Sequence, residues 1–116
     1  MKIIETENAP KAIGTYSQAV KVNGFLFISG QIPLNPSTME LVEGIENQIN
    51  QVFENIHQIL KADGMDFSNV VKLSVLLEDL SHFEKVNEIM ANIFSKPYPA
   101  RAAYEVSKLP KGSSVE

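Results

Sequence analysis

Apolar and polar positions alternate along the first quarter of the chain in the manner of short β-strands. A weak alternation over residues 2–6 predicts an edge strand. Two further runs, 17–22 and 25–29, are separated by Asn23-Gly24, the dipeptide that most readily supplies two positive φ angles, so they predict a hairpin. The second hairpin strand is apolar on both faces and should be covered on both sides. Because one small domain rarely covers both faces with its own helices, this strand indicates an oligomer.

From about Gly44 the spacing of apolar residues changes to that of an amphipathic helix. The stripe follows i, i+4, i+7 and i+8 spacing and ends at Asp63-Gly64, where glycine suits a left-handed cap. Its members are Ile45, Ile49, Val52, Phe53, Ile56, Ile59 and Leu60. They predict one long helix lying on a sheet.

A strand and a second helix are predicted next. Residues 70–80 alternate, and the expected core face consists of Val71, Leu73, Val75 and Leu77. Residues 81–84 have the pattern of a capping box, which would start a helix whose apolar stripe is Phe83, Val86, Met90, Ile93 and Phe94. Asn87 lies on the flank of this stripe, where a solvated surface amide is the simplest interpretation.

The last predicted strand begins with an arginine. Arg101, Ala103 and Glu105 share one face of it, because side chains alternate along a strand. At the start of a strand a guanidinium can protrude into a cleft and bind a carboxylate through two parallel hydrogen bonds. The alternative is a surface arginine paired with an acid such as Glu105. The pattern alone favours this alternative, because surface arginines are far commoner than ligand-binding ones.

The order of elements, a hairpin followed by helix, strand, helix and strand, predicts an α+β domain with both helices on one face of a sheet. The length of 116 residues, with 44% hydrophobic and 21% charged residues, is typical of one globular domain spanning 1–116. The net charge of −4 argues against a wide phosphate-binding surface and so against a nucleic-acid partner.

The sequence offers no metal or cofactor motif. It contains no cysteine, its two histidines are far apart, and no glycine-rich phosphate loop can be found. No apolar run reaches membrane-spanning length, and the N-terminus lacks the pattern of a secretory signal. We therefore expect no metal, no membrane partner and a cytoplasmic location.

Segments along nearly the whole chain resemble the RidA (YjgF) family, the reactive intermediate deaminases. They are APKAIG (9–14), YSQA (16–19), VNGFLFISGQIP (22–33), QVFENI (51–56), VVK (70–72), FEKVNE (83–88), PAR (99–101) and LPKG (109–112). The resemblance implies a chorismate-mutase-like (YjgF-like) fold, with a mixed β-sheet and two helices on one face. It also implies a barrel-like homotrimer with clefts between subunits.

The activity that the resemblance implies is hydrolytic deamination of reactive 2-enamine and 2-imine acids, such as 2-aminoacrylate and 2-aminocrotonate. The products are 2-oxo acids and ammonia, and no cofactor takes part. The protein would then be an enzyme of the 2-iminobutanoate/2-iminopropanoate deaminase type, with a small 2-imino or 2-oxo acid as its ligand.

Residue by residue, the resemblance implies two catalytic groups. Arg101 matches the family's carboxylate-binding arginine, and Glu116 matches the acid that holds or activates the attacking water. The substrate-binding positions that it implies are Tyr16, Ser29, Gly30, Asn87, Arg101 and Ala103. Ala103 stands where well-known members carry cysteine, so a thiol has no part here and only the backbone carbonyl could contact the water.

A second hypothesis belongs to a different class of protein. The same cleft could hold a small 2-oxo acid without converting it, as in a trimeric binding or regulatory protein. Glu116 distinguishes the two hypotheses, because loss of this acid would favour binding without catalysis.

Overall fold

The computed structural model describes residues 1–116, which form five strands and two helices. The strands are β1 (Lys2–Ile4), β2 (Ala19–Val22), β3 (Phe25–Ile28), β4 (Lys72–Leu77) and β5 (Ala100–Glu105). The helices are α1 (Ile45–Ala62) and α2 (Phe83–Ile93). Short 3-10 turns lie at residues 67–69, 80–82 and 110–112. The predicted α+β class and the order of the elements are confirmed.

The strands form two sheets rather than the single mixed sheet expected from the sequence. Strands β1, β2 and β3 are antiparallel neighbours, and β4 pairs with β5 in parallel. Residues 114–116 add to the free edge of β4 in the antiparallel sense, so this second sheet is mixed. There Leu76 and Glu116 exchange two backbone hydrogen bonds of 2.9 Å. The two sheets remain separate because β3 bonds only to β2.

The hairpin prediction is confirmed at its turn. Asn23 and Gly24 have φ angles of 51° and 80°, and Val22 lies opposite Phe25 across the strand pair. On β3, Leu26 and Ile28 pack towards α1, whereas Phe25 and Phe27 remain 61% and 57% exposed. One face of β3 is therefore uncovered in the single chain.

Helix α1 packs against both sheets and so holds them in one arrangement. The larger hydrophobic cluster combines residues of α1, α2, β4 and the last segment: Ile49, Val52, Phe53, Val75, Leu77, Val86, Ile89, Met90, Phe94 and Val115. The smaller cluster joins Ile59 of α1 to Ile4, Ala9 and Ala19. An ion pair of 2.8 Å between Lys21 Nζ and Asp63 Oδ2 ties β2 to the end of α1. No helix of the chain combines the length and the apolar character needed to cross a membrane.

Two buried amide side chains fix the loops on either side of the hairpin. Gln18 Nε2 donates hydrogen bonds to the carbonyls of Pro10 (2.8 Å) and Thr6 (3.0 Å). Asn55 Nδ2 on α1 donates to the carbonyl of Leu34 at 3.0 Å. Because buried amides cost free energy unless they are hydrogen-bonded, these contacts hold the loops before β2 and after β3 in place.

Two local predictions are wrong. Helix α2 begins after His82 without a side-chain cap, so the capping box at 81–84 does not form. Asp79 instead accepts a hydrogen bond from the Ser81 N–H at 2.9 Å, which lowers the pKa of Asp79 and starts the preceding 3-10 turn. Val71, expected in the core, precedes β4 and is 71% exposed.

A groove of about 710 Å³ separates β3 from β4. Its floor includes Val52, Ile56 and Leu60 of α1, and Glu116 lies among its lining residues. The backbone groups of Lys72 and Ser74 face the groove, because alternate residues of a strand bond to the same side and Leu76 bonds to Glu116.

Candidate active site

Arg101 lies near the start of β5, opposite Leu73 of β4, and its side chain reaches over α2. Its Nη1 donates hydrogen bonds to Asn87 Oδ1 at 2.5 Å and to Met90 Sδ at 3.5 Å. Its Cζ lies 4.7 Å from the centroid of the Phe83 ring. The guanidinium is therefore held from one side by a single helix.

No acid of the chain pairs with Arg101. None of the four ion pairs in the structure includes it. Glu105 was the acid suggested as a partner if Arg101 were an ordinary surface arginine. It instead accepts a hydrogen bond from the Leu80 N–H at 2.9 Å. The positive charge of Arg101 is thus exposed and available to an anion from outside the chain.

Helix α2 brings the three contacts of Arg101 onto one face by their spacing. Phe83, Asn87 and Met90 follow i, i+4 and i+7 positions, which lie above one another on a helix. Met90 is buried and Phe83 packs against the larger hydrophobic cluster, so both are fixed by the core. From the sequence both belong to the core stripe, and their contact with Arg101 was not predicted. The available signal was an asparagine between two members of an apolar stripe.

Glu116 and Gly30 come together where the last segment passes the end of β3. A Cβ atom built on Gly30 would lie 3.0 Å from both Cδ and Oε2 of the Glu116 side chain. A contact of 3.0 Å is tighter than nine in ten real Cβ contacts, so a side chain at position 30 would displace the Glu116 carboxyl by a few tenths of an ångström. This contact places the carboxyl beside the backbone that follows Ser29.

The Glu116 carboxyl is half-buried, and its pKa is raised by that burial. Removing a carboxylate from water disfavours its charged form, and no nearby cation offsets this effect. A carboxylate with a raised pKa is a better proton acceptor than an ordinary one near neutral pH.

The other residues implied by the family resemblance are placed as follows. The Ser29 hydroxyl donates to the carbonyl of Ser17 at 2.6 Å, so its oxygen remains free to accept. Tyr16 is exposed, and its hydroxyl oxygen accepts from the Ile13 N–H at 3.3 Å. Ala103 packs against the core, and its carbonyl faces the outer edge of β5, because Val106 and Ala100 bond to β4.

Within one chain these residues form two groups. Arg101 lies with Asn87 on one side of the second sheet, and Glu116 lies with Gly30 and Ser29 in the groove. No hydrogen bond or ion pair joins the two groups, and no cluster of three or more histidine or acidic side chains could hold a metal ion. The chemistry available is anion binding at one group and proton transfer at the other.

Comparison with known proteins identifies the family. The family model described as endoribonuclease L-PSP matches residues 6–116. The crystal structure of RidA from an Antarctic Psychrobacter superposes with a TM-score of 0.96 at 52% identity, covering 99% of this chain and 94% of that one. The chain belongs to the RidA (YjgF) family.

Two further relatives are similar along nearly the whole chain. A human protein named 2-iminobutanoate/2-iminopropanoate deaminase is 51% identical over 116 residues, covering 99% of this chain and 85% of the human one. The crystal structure of TdcF from E. coli with bound serine matches with a TM-score of 0.94 at 36% identity. That match covers 99% of this chain and 93% of TdcF.

Proposed function

We propose that this chain hydrolyses reactive 2-enamine and 2-imine acids to 2-oxo acids and ammonia. The observation that carries the proposal is the state of Arg101, whose guanidinium is exposed, held by α2 and paired with no acid. A bidentate, charge-assisted pair with a substrate carboxylate satisfies such a group. The names of the mammalian relatives support the same reaction.

The ligand of one relative supports the substrate class. TdcF has been crystallised with serine, which carries a carboxylate and a nitrogen on the same carbon. A 2-imino acid has the same arrangement, with the nitrogen doubly bonded to that carbon. Arg101 would bind the carboxylate and leave C2 directed towards the water, so that orientation supplies a large part of the acceleration.

The chemistry consumes one water and releases one ammonia. An enamine first becomes the imine by gaining a proton at C3 and losing one from nitrogen. The oxygen of water then bonds to C2 while the Glu116 carboxylate accepts a proton from it. Glu116 passes this proton to the imine nitrogen, which becomes the amine of a carbinolamine. In the second half the new hydroxyl loses its proton to the nitrogen, the C2–N bond breaks, and ammonia leaves a C2 carbonyl behind. Glu116 ends in its starting state.

We propose a homotrimer as the active form, with the clefts between subunits. The uncovered face of β3, with Phe25 and Phe27, is the kind of apolar surface that marks an interface. Assembly would also bring the Arg101 group of one subunit towards the Glu116 group of another, which a single chain keeps apart.

The experiment that tests the proposal follows the fate of 2-aminocrotonate, which a threonine dehydratase produces in the assay. We expect this protein to increase the rate of 2-oxobutanoate and ammonia formation in equal amounts. The matched control is the corresponding imine methyl ester, which lacks the carboxylate and should decay at the rate of the buffer alone. Equal acceleration of acid and ester would contradict a carboxylate-anchored reaction.

A trimer that binds 2-oxobutanoate but does not accelerate decay of the acid would instead support the binding or regulatory protein. The ribonuclease named in the family description finds no support in the net charge of −4, since broad nucleic-acid affinity needs clustered cations.

A further inference from the structure

We infer that contacts with α2 determine which edge of the Arg101 guanidinium binds the substrate. Asn87 and Met90 accept hydrogen bonds from Nη1, so the substrate carboxylate is bound side-on by Nε and Nη2. Asn87 is then a positioning residue rather than a substrate ligand. The inference deepens the proposed function and rests on it, because it concerns the same carboxylate.

The N–H groups of Arg101 that remain free identify the edge available to the substrate. A guanidinium has five N–H donors, two on each Nη and one on Nε. The two donors of Nη1 are directed to Asn87 Oδ1 at 2.5 Å and Met90 Sδ at 3.5 Å. The end-on mode needs one donor from each Nη and would break one of these contacts. The Nε and Nη2 donors run parallel to one another and have no partner in the chain.

Phe83 restrains the position of the guanidinium. The Arg101 Cζ is 4.7 Å from the ring centroid, a distance at which the ring face attracts the cation. Since Phe83 packs against the hydrophobic core, the guanidinium lies over a ring that the core holds in place. Much of the ordering of a long, exposed side chain is thus complete before the substrate arrives, which favours binding.

The type of side chain at position 87 fits this role. An amide oxygen accepts from Nη1 without carrying charge, so the guanidinium keeps its full attraction for an anion. An aspartate at this position would accept in the same geometry but would pair with the cation and compete with the substrate. We therefore expect position 87 to require a side chain that accepts a hydrogen bond but carries no charge.

Arg101 is the only arginine of the chain, so its Nε–H gives a single, unambiguous side-chain resonance. We would titrate the folded protein with 2-oxobutanoate and follow this resonance and the dissociation constant. The variants are Asn87→Leu, which removes the acceptor, and Asn87→Asp, which keeps the acceptor and adds charge. Asn92→Leu, on the same helix and also exposed, is the matched control.

The expected result is a saturable shift of the Nε–H resonance in the unaltered protein and in Asn92→Leu. Loss of a hydrogen bond to a charged group should weaken binding in Asn87→Leu by about tenfold, and Asn87→Asp should weaken it by at least as much. Binding with an unmoved Nε–H resonance, or Asn87→Asp binding as well as the unaltered protein, would overturn the inference.

Failure of this inference can be told from failure of the proposed function. If 2-oxobutanoate binds side-on but the imine is not hydrolysed, the geometry stands and the deaminase proposal falls. If the folded protein does not bind 2-oxobutanoate at all, the carboxylate anchor itself is wrong, and the inference falls with it.

Discussion

Of the two proposed catalytic residues, Arg101 is exposed whereas Glu116 is partly buried. Its pKa is raised by burial, so the folded protein keeps this proton at pH values where the unfolded chain has lost it. The unfolded state then binds fewer protons, and the free energy of unfolding falls as the pH rises through the interval between the ordinary and the raised pKa.

We expect Glu116→Gln to remove this pH dependence. Its free energy of unfolding, relative to the unaltered protein, should increase from acidic to neutral pH, because glutamine carries no charge to bury. Urea denaturation of both proteins over a series of pH values measures the difference. A difference that stays constant with pH would show that burial does not raise the pKa of Glu116.

At this scale the sequence identified Arg101 as a candidate but not the state in which it is held. Family motifs named Arg101, Glu116 and Gly30, whereas the contact of Arg101 with Phe83 and Met90 arises only when α2 packs beside β5. Local patterns do not specify that packing, so the surface-arginine interpretation could not be rejected from the pattern.

Among the elements, β4 is paired on both edges only over its second half. Leu76, and Glu78 just after β4, donate their N–H groups to the carbonyls of Glu116 and Ser114 at 2.9 and 3.1 Å, whereas the backbone groups of Lys72 and Ser74 face the groove. Amide hydrogens without a partner exchange through small fluctuations rather than through unfolding.

The amide exchange rate should therefore differ between the first half of β4 and the residues at its end. We expect the amides of Lys72 and Ser74 to exchange about 100-fold faster than those of Leu76 and Glu78, with the difference set by local protection. Mass spectrometry with fragmentation, or two-dimensional NMR, resolves these positions. Equal protection along the whole strand would show that the groove is closed in solution.

The reliability of prediction from sequence differed between elements for physical reasons. The Asn23-Gly24 turn was predictable because its chemistry is local, and α1 because its stripe is long. The groove was not predictable from the sequence, because it depends on the spatial separation of β3 and β4, which belong to different sheets. The capping box failed because Asp79, further upstream, starts a 3-10 turn first.

On the scale of the whole molecule, the exposed face of β3 is the feature that a single chain leaves unexplained. We expect sedimentation equilibrium to give three times the chain mass of 12.9 kDa. Phe27→Glu should lower the mass to that of one chain, because a carboxylate would have to be buried at the interface. Leu80→Glu, an exposed apolar residue outside β3, is the control and should remain trimeric. A single-chain mass for the unaltered protein would contradict the trimer.

The family resemblance provided what neither pattern nor single-chain structure provides, namely a reaction. The family model matches residues 6–116, and we propose that Arg101 gives this fold its chemical use by binding the substrate carboxylate. We propose that this arginine anchors the imine substrate by its carboxylate.

The most direct test is kcat/KM for 2-aminocrotonate hydrolysis by the unaltered protein, Arg101→Ala and Lys108→Ala. Lys108 is an exposed cation outside every ion pair, so its removal controls for the change in net charge. Loss of a bidentate charged pair should lower kcat/KM of Arg101→Ala by about 100-fold or more, while Lys108→Ala stays close to the unaltered value. Unchanged hydrolysis by a folded Arg101→Ala trimer would show that Arg101 does not anchor the substrate.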